Sequence, residues 1–264
     1  MIYIEKNNMD EILNYIGNEY NKSPYLYIDL IKYGFSNNNV TTYIQRNEKN
    51  DSIQCVVLCY YTGMHIFSKN LDFNIDEIVN LIKETKPAIV CAEKEIILKL
   101  SDKLKNYSNK FGYVRELKKE NNIDYIHKVT KATIDDIKDV ARLLNADEDL
   151  GKSYKDDELY MQLIERNKDG FSRNYVIKEN NKVISHAASS GETEKVAMLS
   201  GVITDPKYRG MGYAYEVTSK LCSDLLNEGK RVYLINYTYE STKLYDKIGF
   251  EISVEFGKLV LNKN

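Results

Sequence analysis

The sequence predicts an α/β (α+β) protein, a mixed sheet flanked by helices, with two such domains in tandem. Three observations carry that prediction. In the second half, β-prone and amphipathic runs alternate in the order β-α-α-β-β-β-α-β-α-β-β. The first half repeats much of that order. At residues 202–214, Val-Ile-Thr-Asp-Pro-Lys-Tyr-Arg-Gly-Met-Gly-Tyr-Ala, a β-prone run passes through a glycine-broken, basic turn directly into a helical pattern. A chain of 264 residues has room for one large domain or two of ordinary size.

The elements of the second half follow from residue pattern. Residues 126–129 read as a short strand. Thr133-Ile-Asp-Asp136 is a capping-box-like start, with acids in the first turn, and Ile134, Ile137, Val140, Ala141 and Leu144 then recur at helical spacing. Residues 156–165 predict a second helix. Residues 175–178 and 183–189 predict strands joined by a turn at Asn180-Asn181. A turn at 191–195 leads into a strand over 196–204. The helix after the glycine turn runs to Asn227 with Ala214, Val217, Leu221 and Leu225 on one face, and Gly229 supplies its C-terminal stop. Residues 232–236 predict a strand, 241–248 a helix ended by Gly249, and 250–261 a hairpin.

In the first half, residues 2–5, 40–45, 53–60, 65–68 and 88–92 read as strands. Residues 9–20, 25–33, 75–84 and 96–106 read as helices. The charged stretch 118–122 is the boundary signal, giving domains 1–124 and 125–264.

Composition narrows the function classes. With 37 basic and 39 acidic residues there is no basic excess of the kind a nucleic-acid footprint needs. The apolar run 55–61 is too short to span a membrane, and no apolar leader opens the chain, so a cytoplasmic protein is expected. Cys55, Cys59, Cys91 and Cys222 form no Cys-x-x-Cys pair and read as reduced core thiols. His65, His127 and His186 lack ligand spacing, so no metal site is expected.

The turn carries the chemistry. Gly210 and Gly212 allow positive φ and close approach of the backbone to a ligand. The helix beyond it points unpaired N–H groups and its positive dipole end at that place, which makes an anion site suited to a pyrophosphate. Arg209 adds a charge at its mouth. A dinucleotide fingerprint fails because Tyr215 stands where a third glycine is needed, and a P-loop fails for want of Gly-Lys-Ser/Thr.

What remains, Arg-x-x-Gly-x-Ala (Arg209, Gly212, Ala214) after a strand, resembles the acetyl-CoA motif of the GNAT N-acetyltransferase superfamily. Ser241-Thr-Lys-Leu-Tyr245-Asp-Lys-Ile-Gly249-Phe250 is similar to that family's C-terminal signature. The resemblance covers the chain from Tyr125 onward and implies a GNAT-like acyl-CoA N-acyltransferase fold. The first half, with no glycine between His65 and Ile75, reads as a degenerate partner that walls the acceptor cleft or stabilises the enzyme.

The resemblance implies roles. Acetyl-CoA would be the co-substrate, with no metal. Val202, Ile203 and Thr204 would meet its pantetheine arm and carbonyl through backbone groups, and Arg209, Gly210, Met211, Gly212, Tyr213 and Ala214 would hold its pyrophosphate. Tyr245 matches the tyrosine near the sulfur, and a phenol of pKa about 10 is a fair acid toward a leaving thiolate. Thr238 stands where the family often has a cofactor-contacting Asn, and Ser200 where some members have a carboxylate base. His186 reads as a core or rim residue, Glu192 and Glu194 as solvated, and a water chain or Glu240 as candidate bases. The expected activity is acetyl transfer to a small amine or amino-acid-like acceptor. An aminoacyl-tRNA-dependent transferase and a non-catalytic CoA-sensing module stay open as alternatives; the near-neutral charge and the intact turn speak against the first.

Overall fold

The computed structural model describes residues 2–35, 37–119, 123–147, 156–168 and 170–262. The chain forms two compact units. One comprises Met1–Arg115, Ile235–Thr238 and Ile252–Asn264, the other Glu116–Leu234 and Tyr239–Glu251. Each is therefore assembled from separated stretches of sequence.

The first unit holds β1 (Ile2–Glu5), α1 (Met9–Ile16), α2 (Pro24–Tyr33), β2 (Val40–Arg46), β3 (Ile53–Tyr60), β4 (Gly63–Phe67), α3 (Ile75–Thr85), β5 (Ile89–Glu93), α4 (Lys94–Ser101) and most of β6 (Tyr107–Leu117). Its strand order is β1-β2-β3-β4-β5, followed by the C-terminal strand β12 (Phe250–Leu261) and then β6. Strands β1 to β4 are antiparallel neighbours, β4 and β5 run parallel, and β12 is antiparallel to β5. The β-branched, nearly all-apolar β3 is buried along most of its length, as a central strand must be. Its core gathers Val57, Met64, Ile66, Val90, Ala92 and Leu259 with Ile78 and Ile82 of α3 and Ile96, Ile97 and Leu100 of α4.

The second unit holds β7 (Val129–Lys131), α5 (Asp136–Asn145), α6 (Asp156–Lys168), β8 (Asn174–Glu179), β9 (Lys182–Glu192), β10 (Val196–Thr204), α7 (Tyr213–Asn227), β11 (Arg231–Asn236) and α8 (Tyr239–Ile248). Its strand order is β11-β10-β9-β8-β7, parallel only between β10 and β11. Val217, Leu221 and Leu225 of α7 bury against one face, with Ile184, Ala187, Ala197, Leu199, Val232 and Leu234. Val140, Ala141 and Leu144 of α5 cover the other, with Val176, Val183 and Ile203. Asn180 and Asn181 both take positive φ, so they close the β8–β9 hairpin in the twist that such turns favour.

Several elements differ from expectation. The predicted hairpin at 250–261 is one 12-residue strand. Gly257 marks close packing there, not a turn: a Cβ on it would lie 2.9 Å from Phe111 Cδ1. Strand β6 escaped prediction because Ser108, Asn109 and Lys110 hide its pattern and Gly112 breaks it; a Cβ at Gly112 would run into the backbone oxygen of Asn236. Helix α4 stops at Ser101, and the buried Leu104 and Tyr107 that extended its apparent periodicity belong to the turn and strand beyond it. The strand expected at 126–129 starts at Val129, since the backbone N–H of His127 donates to Glu216 and Ile126 is exposed. At the start of α5 only the acid half of a capping box forms, with Asp136 Oδ2 accepting from Thr133 N at 2.8 Å. Cys55 and Cys222 are buried, while Cys59 and Cys91 keep some exposure.

Candidate functional site

The site begins where β10 leaves β11. The two strands pair only at Val196↔Arg231, Ala197↔Val232 and Met198↔Tyr233. Among the described residues β10 pairs only with β9 from Leu199 onward, so the backbone edge that faced β11 has no strand partner there. The β9 pairing is irregular as well. Ser200 lies opposite Ala188 and Ile203 opposite His186, so Gly201 and Val202 together face Ala187. That is a β-bulge, which bends a strand and re-aims the residues after it.

The bulge is locked from inside. Gly201 takes φ +59°, and a Cβ there would lie 3.2 Å from His186 Cε1. His186 is fully buried, and its Nδ1–H donates to Gly201 O at 2.7 Å. Its Nε2 lies 2.9 Å from the side-chain amide of buried Asn174, whose Nδ2 has no partner among the described residues; with that amide turned, its NH₂ donates to Nε2. Burial pushes the His186 pKa down to about 4, so the ring is neutral near pH 7 and its donor is committed to Gly201. The core reading of His186 holds. The bulge and Asn174 were missed, though a glycine inside a strand pattern is the signal for one.

Beyond the bulge, Ile203 and Thr204 are nearly buried and Val202 is half-buried. The hydroxyls of Ser185 and Thr204 are 2.8 Å apart, and Asp205 N donates to Ile184 O at 2.8 Å, which ends the strand. Asp205 Oδ1 then accepts from Lys207 N at 3.0 Å and starts a 3₁₀ turn at Pro206–Tyr208. Arg209 Nε donates to Thr204 O at 3.1 Å, but the side chain stays 57% exposed, with Asp147 Oδ2 3.7 Å from Nη2. The charge is tethered and still faces outward.

Gly210 and Gly212 take φ +81° and +89°, and a Cβ built on either meets nothing within 4 Å. Gly212 is the N-cap of the 15-residue α7 and makes no side-chain cap. Among the described residues, none accepts a backbone hydrogen bond from the N–H groups of residues 210–215. An uncapped helix N-terminus beyond two positive-φ glycines with open space at their Cβ positions is the kind of place where an anion binds. Behind them Glu216 is 4% exposed, and both its oxygens are taken by His127, from N at 2.8 Å and Nδ1 at 3.0 Å. The His127 ring packs 4.3 Å from that of Tyr213. This contact, which sequence reasoning missed, fixes the start of α7.

Tyr245 is half-buried on α8, its ring edge-on to Phe250 at 5.9 Å. It packs on the same core cluster as Val202, Tyr208 and Tyr215. The second unit holds Val202, Ile203, Thr204, Arg209, Gly210, Met211, Gly212, Tyr213, Ala214 and Tyr245; of these Val202, Tyr213 and Tyr245 share one core cluster, while Ile203 packs on the α5 side of the sheet. Thr238 belongs to the first unit, where its carbonyl accepts from Asn236 Nδ2 at 3.0 Å. Ser200 is half-buried, and β10 carries neither acid nor imidazole. The side chain of Glu240 lies outside the described residues. Glu194 is exposed as expected, but Glu192 is not: its side chain is 3% exposed, gripped by Arg173 and by Lys230 at 2.6 Å. β9 runs on to Glu192, which carries that carboxylate into a cluster the sequence could not place.

Among the described residues no group of three or more His, Cys, Asp or Glu side chains is arranged to hold a metal ion, and no helix is long and apolar enough to cross a membrane.

Comparison with known proteins bears on the family and the fold. Residues 28–259 match the family model for GNAT acetyltransferases. A solved Drosophila protein superposes with TM-score 0.68 at 13% identity, covering 99% of both chains. A tandem GNAT protein from the clavulanic acid biosynthesis pathway gives TM-score 0.62 at 10% identity, covering 100% of this chain and 99% of that one. A GNAT-family acetyltransferase from Colwellia psychrerythraea gives 0.59 at 12% identity, covering 99% and 100%. At such identities the likeness is one of fold. No protein of curated function matched. The family model spans most of both units, and the chain belongs to the GNAT acetyltransferase family.

Proposed function

We propose that the protein transfers an acetyl group from acetyl-CoA to the amine of a small, amino-acid-like acceptor. The observation that carries this reading is the uncapped start of α7 with its two positive-φ glycines, directly after a strand that among the described residues has no β11 partner beyond Met198. When bound, acetyl-CoA supplies the activated acetyl thioester. Arg209, Gly210, Met211, Gly212, Tyr213 and Ala214 bind its pyrophosphate through backbone N–H groups and the Arg209 charge. The backbone of Val202, Ile203 and Thr204 orients the arm and polarises the carbonyl; donors fixed by the bulge need no reorganisation as charge develops. The Tyr245 hydroxyl gives its proton to the departing thiolate. Thr238 is proposed as a further contact, as the sequence resemblance implies. With β10 lacking an acid, a water chain takes the amine's proton. In this reading the first unit binds no CoA, and the protein works in the cytoplasm without a metal.

A second reading rests on the same missing acid: a CoA-binding module without turnover. Thiol release from acetyl-CoA, measured over a panel of primary amines, tests both. Acceptor-dependent release supports the enzyme; acetyl-CoA binding with no release over the whole panel favours the module; no binding at all sinks both.

A further inference from the structure

The turn that opens α7 has conformational freedom to lose when a ligand sits on it. Gly210 and Gly212 flank Met211, which is 58% exposed, and glycine gives up more backbone entropy on ordering than any other residue. Gly212 brings no side-chain cap to the helix. Whatever sets the shape of the turn beforehand lowers the cost of binding there.

Both flanks of the turn are pinned. Ahead of it, the Tyr208 hydroxyl donates to Glu179 at the end of β8. Behind it, Tyr213 is the first residue of α7 and is 7% exposed. Its ring lies edge-on to that of Tyr208 at 6.1 Å and 4.3 Å from that of His127. His127 also reaches further into the helix. Its backbone N–H and its ring Nδ1 meet the two oxygens of Glu216, at 2.8 and 3.0 Å. A carboxylate only accepts, so Nδ1 carries a proton toward it. Glu216 is 4% exposed, and a buried charge demands such partners. His127 thus touches α7 at its first residue and again through the acid of its first turn. His127 and Glu216 are 89 apart in sequence, so this is a tertiary tie and not a local cap.

We propose that His127 is a positioning residue for acetyl-CoA: by holding Tyr213 and Glu216 it fixes the first turn of α7, and the glycine turn ahead of it, in the shape that receives the pyrophosphate. The inference rests on the acetyl-CoA reading above and adds to it a residue from outside the turn. His127 acts through the helix, not on the reacting atoms. Its loss has two consequences of one sign. The turn regains freedom that binding must remove. Glu216 loses the donors that offset its charge, and a bared carboxylate in the first turn opposes an anion at the helix start.

The test is calorimetry of acetyl-CoA binding to the full chain, with the fold of each variant checked by circular dichroism. His127→Ala should raise Kd by about tenfold, the scale of re-ordering one backbone residue. His127→Asn, whose amide can donate from near the Nδ1 position, should recover most of that loss. Tyr175→Phe is the control. It removes the hydroxyl that donates to Asp224 near the other end of α7, and it should lower the melting temperature with Kd unchanged. Should His127→Ala not fold, His127→Phe takes its place, since it keeps a ring against Tyr213 and loses the Nδ1–H; it should weaken binding in the same direction. Equal Kd for the wild type and the folded His127 variants, or no recovery in His127→Asn, would overturn the inference and leave the acetyl-CoA reading intact. So would an equal loss in Tyr175→Phe, which would trace the effect to stability alone. No binding by the wild type would overturn both.

Discussion

Two strand pairs, β10/β11 and β4/β5, run parallel for three paired residues and then open, one in each unit. The segments beyond the two openings differ. After β10 come two positive-φ glycines and α7, whose N-cap is Gly212 with no side-chain cap. After β4 comes a segment without glycine and then α3, whose N-terminus is already occupied. Asn74 Oδ1 accepts from Asp76 N at 3.0 Å, and Asp76 and Glu77 place negative charge in the first turn. A capped, acidic helix start has neither free donors nor a field for an anion. The lesson is that the opening comes with the fold, while cap chemistry decides whether a pyrophosphate can be held there.

The largest expected effect tests that contrast directly. Gly212→Val should abolish detectable acetyl-CoA binding, since a side chain would fill the cradle and φ +89° is strained for valine. Apart from its chain neighbours, none of the described residues lies within 4 Å of that Cβ, so the variant should still fold. Calorimetry of the wild type should give one site per chain. Two equivalent sites would break the comparison, because the first unit would then hold a pyrophosphate without a glycine turn.

Next in size is Tyr245→Phe. It keeps the ring that packs on Phe250 and removes the hydroxyl. General acid catalysis is worth about 10²–10⁴-fold, so kcat should fall by that much with acetyl-CoA affinity nearly unchanged. An unchanged kcat, with chemistry shown to limit turnover, would leave Tyr245 a packing residue.

The cradle was the legible part of the site, because its signals are local: a glycine pair, a proline, a helix start. The second unit's helices were readable for a similar reason, since Val217, Leu221 and Leu225 announce a buried face by spacing alone. What sequence could not give depends on distant partners. Strand β6 looks polar until Gly112 is seen against the Asn236 backbone, and β12 reads as a hairpin until Gly257 is seen against Phe111. Glu192 looks solvated until Arg173 and Lys230 converge on it. The bulge depends on His186 and Asn174, each far from Gly201 in the chain.

That bulge gives the third expectation. His186→Leu leaves Gly201 O and the Asn174 amide buried without their partner, each costing about 1–3 kcal/mol. The melting temperature should fall, and kcat/KM for acetyl-CoA should drop by roughly tenfold as the re-aimed backbone of β10 relaxes. His186→Gln, which keeps a donor, should restore part of both. A loss of stability with kinetics untouched in the folded fraction would show that the bulge matters to folding and not to the site.

The smallest effect is a difference between the units in acid. His65 and His186 each have a folded pKa pushed by burial from 6.5 down to about 4. A base whose folded pKa is depressed contributes stability present above its unfolded value and lost as pH falls from about 6.5 to about 4. The first unit carries an opposing group. Burial raises the Glu93 pKa to about 6, so its contribution is fully present below the unfolded value near 4.5 and is lost as pH rises through about 6. Acidification from about 6 to 4.5 therefore favours the unfolded chain, where His65 takes up a proton it refuses when buried, while protonating Glu93 favours the folded one, and the two changes offset. The second unit has no such relief from Glu228, which the Arg173 hydrogen bond holds down at about 2. Its stabilising contribution is present above the unfolded value near 4.5 and is lost as pH falls from there toward 2. Hydrogen exchange, corrected for intrinsic rates, should thus show protection of β9 and β10 falling more steeply than that of β3 and β4 between about pH 6.5 and 4.5, because local openings report unit by unit. Replacing Glu93 by Gln should remove the offset and bring the two slopes together. Equal slopes in the wild type would mean that the buried histidine of one unit is as well compensated as that of the other.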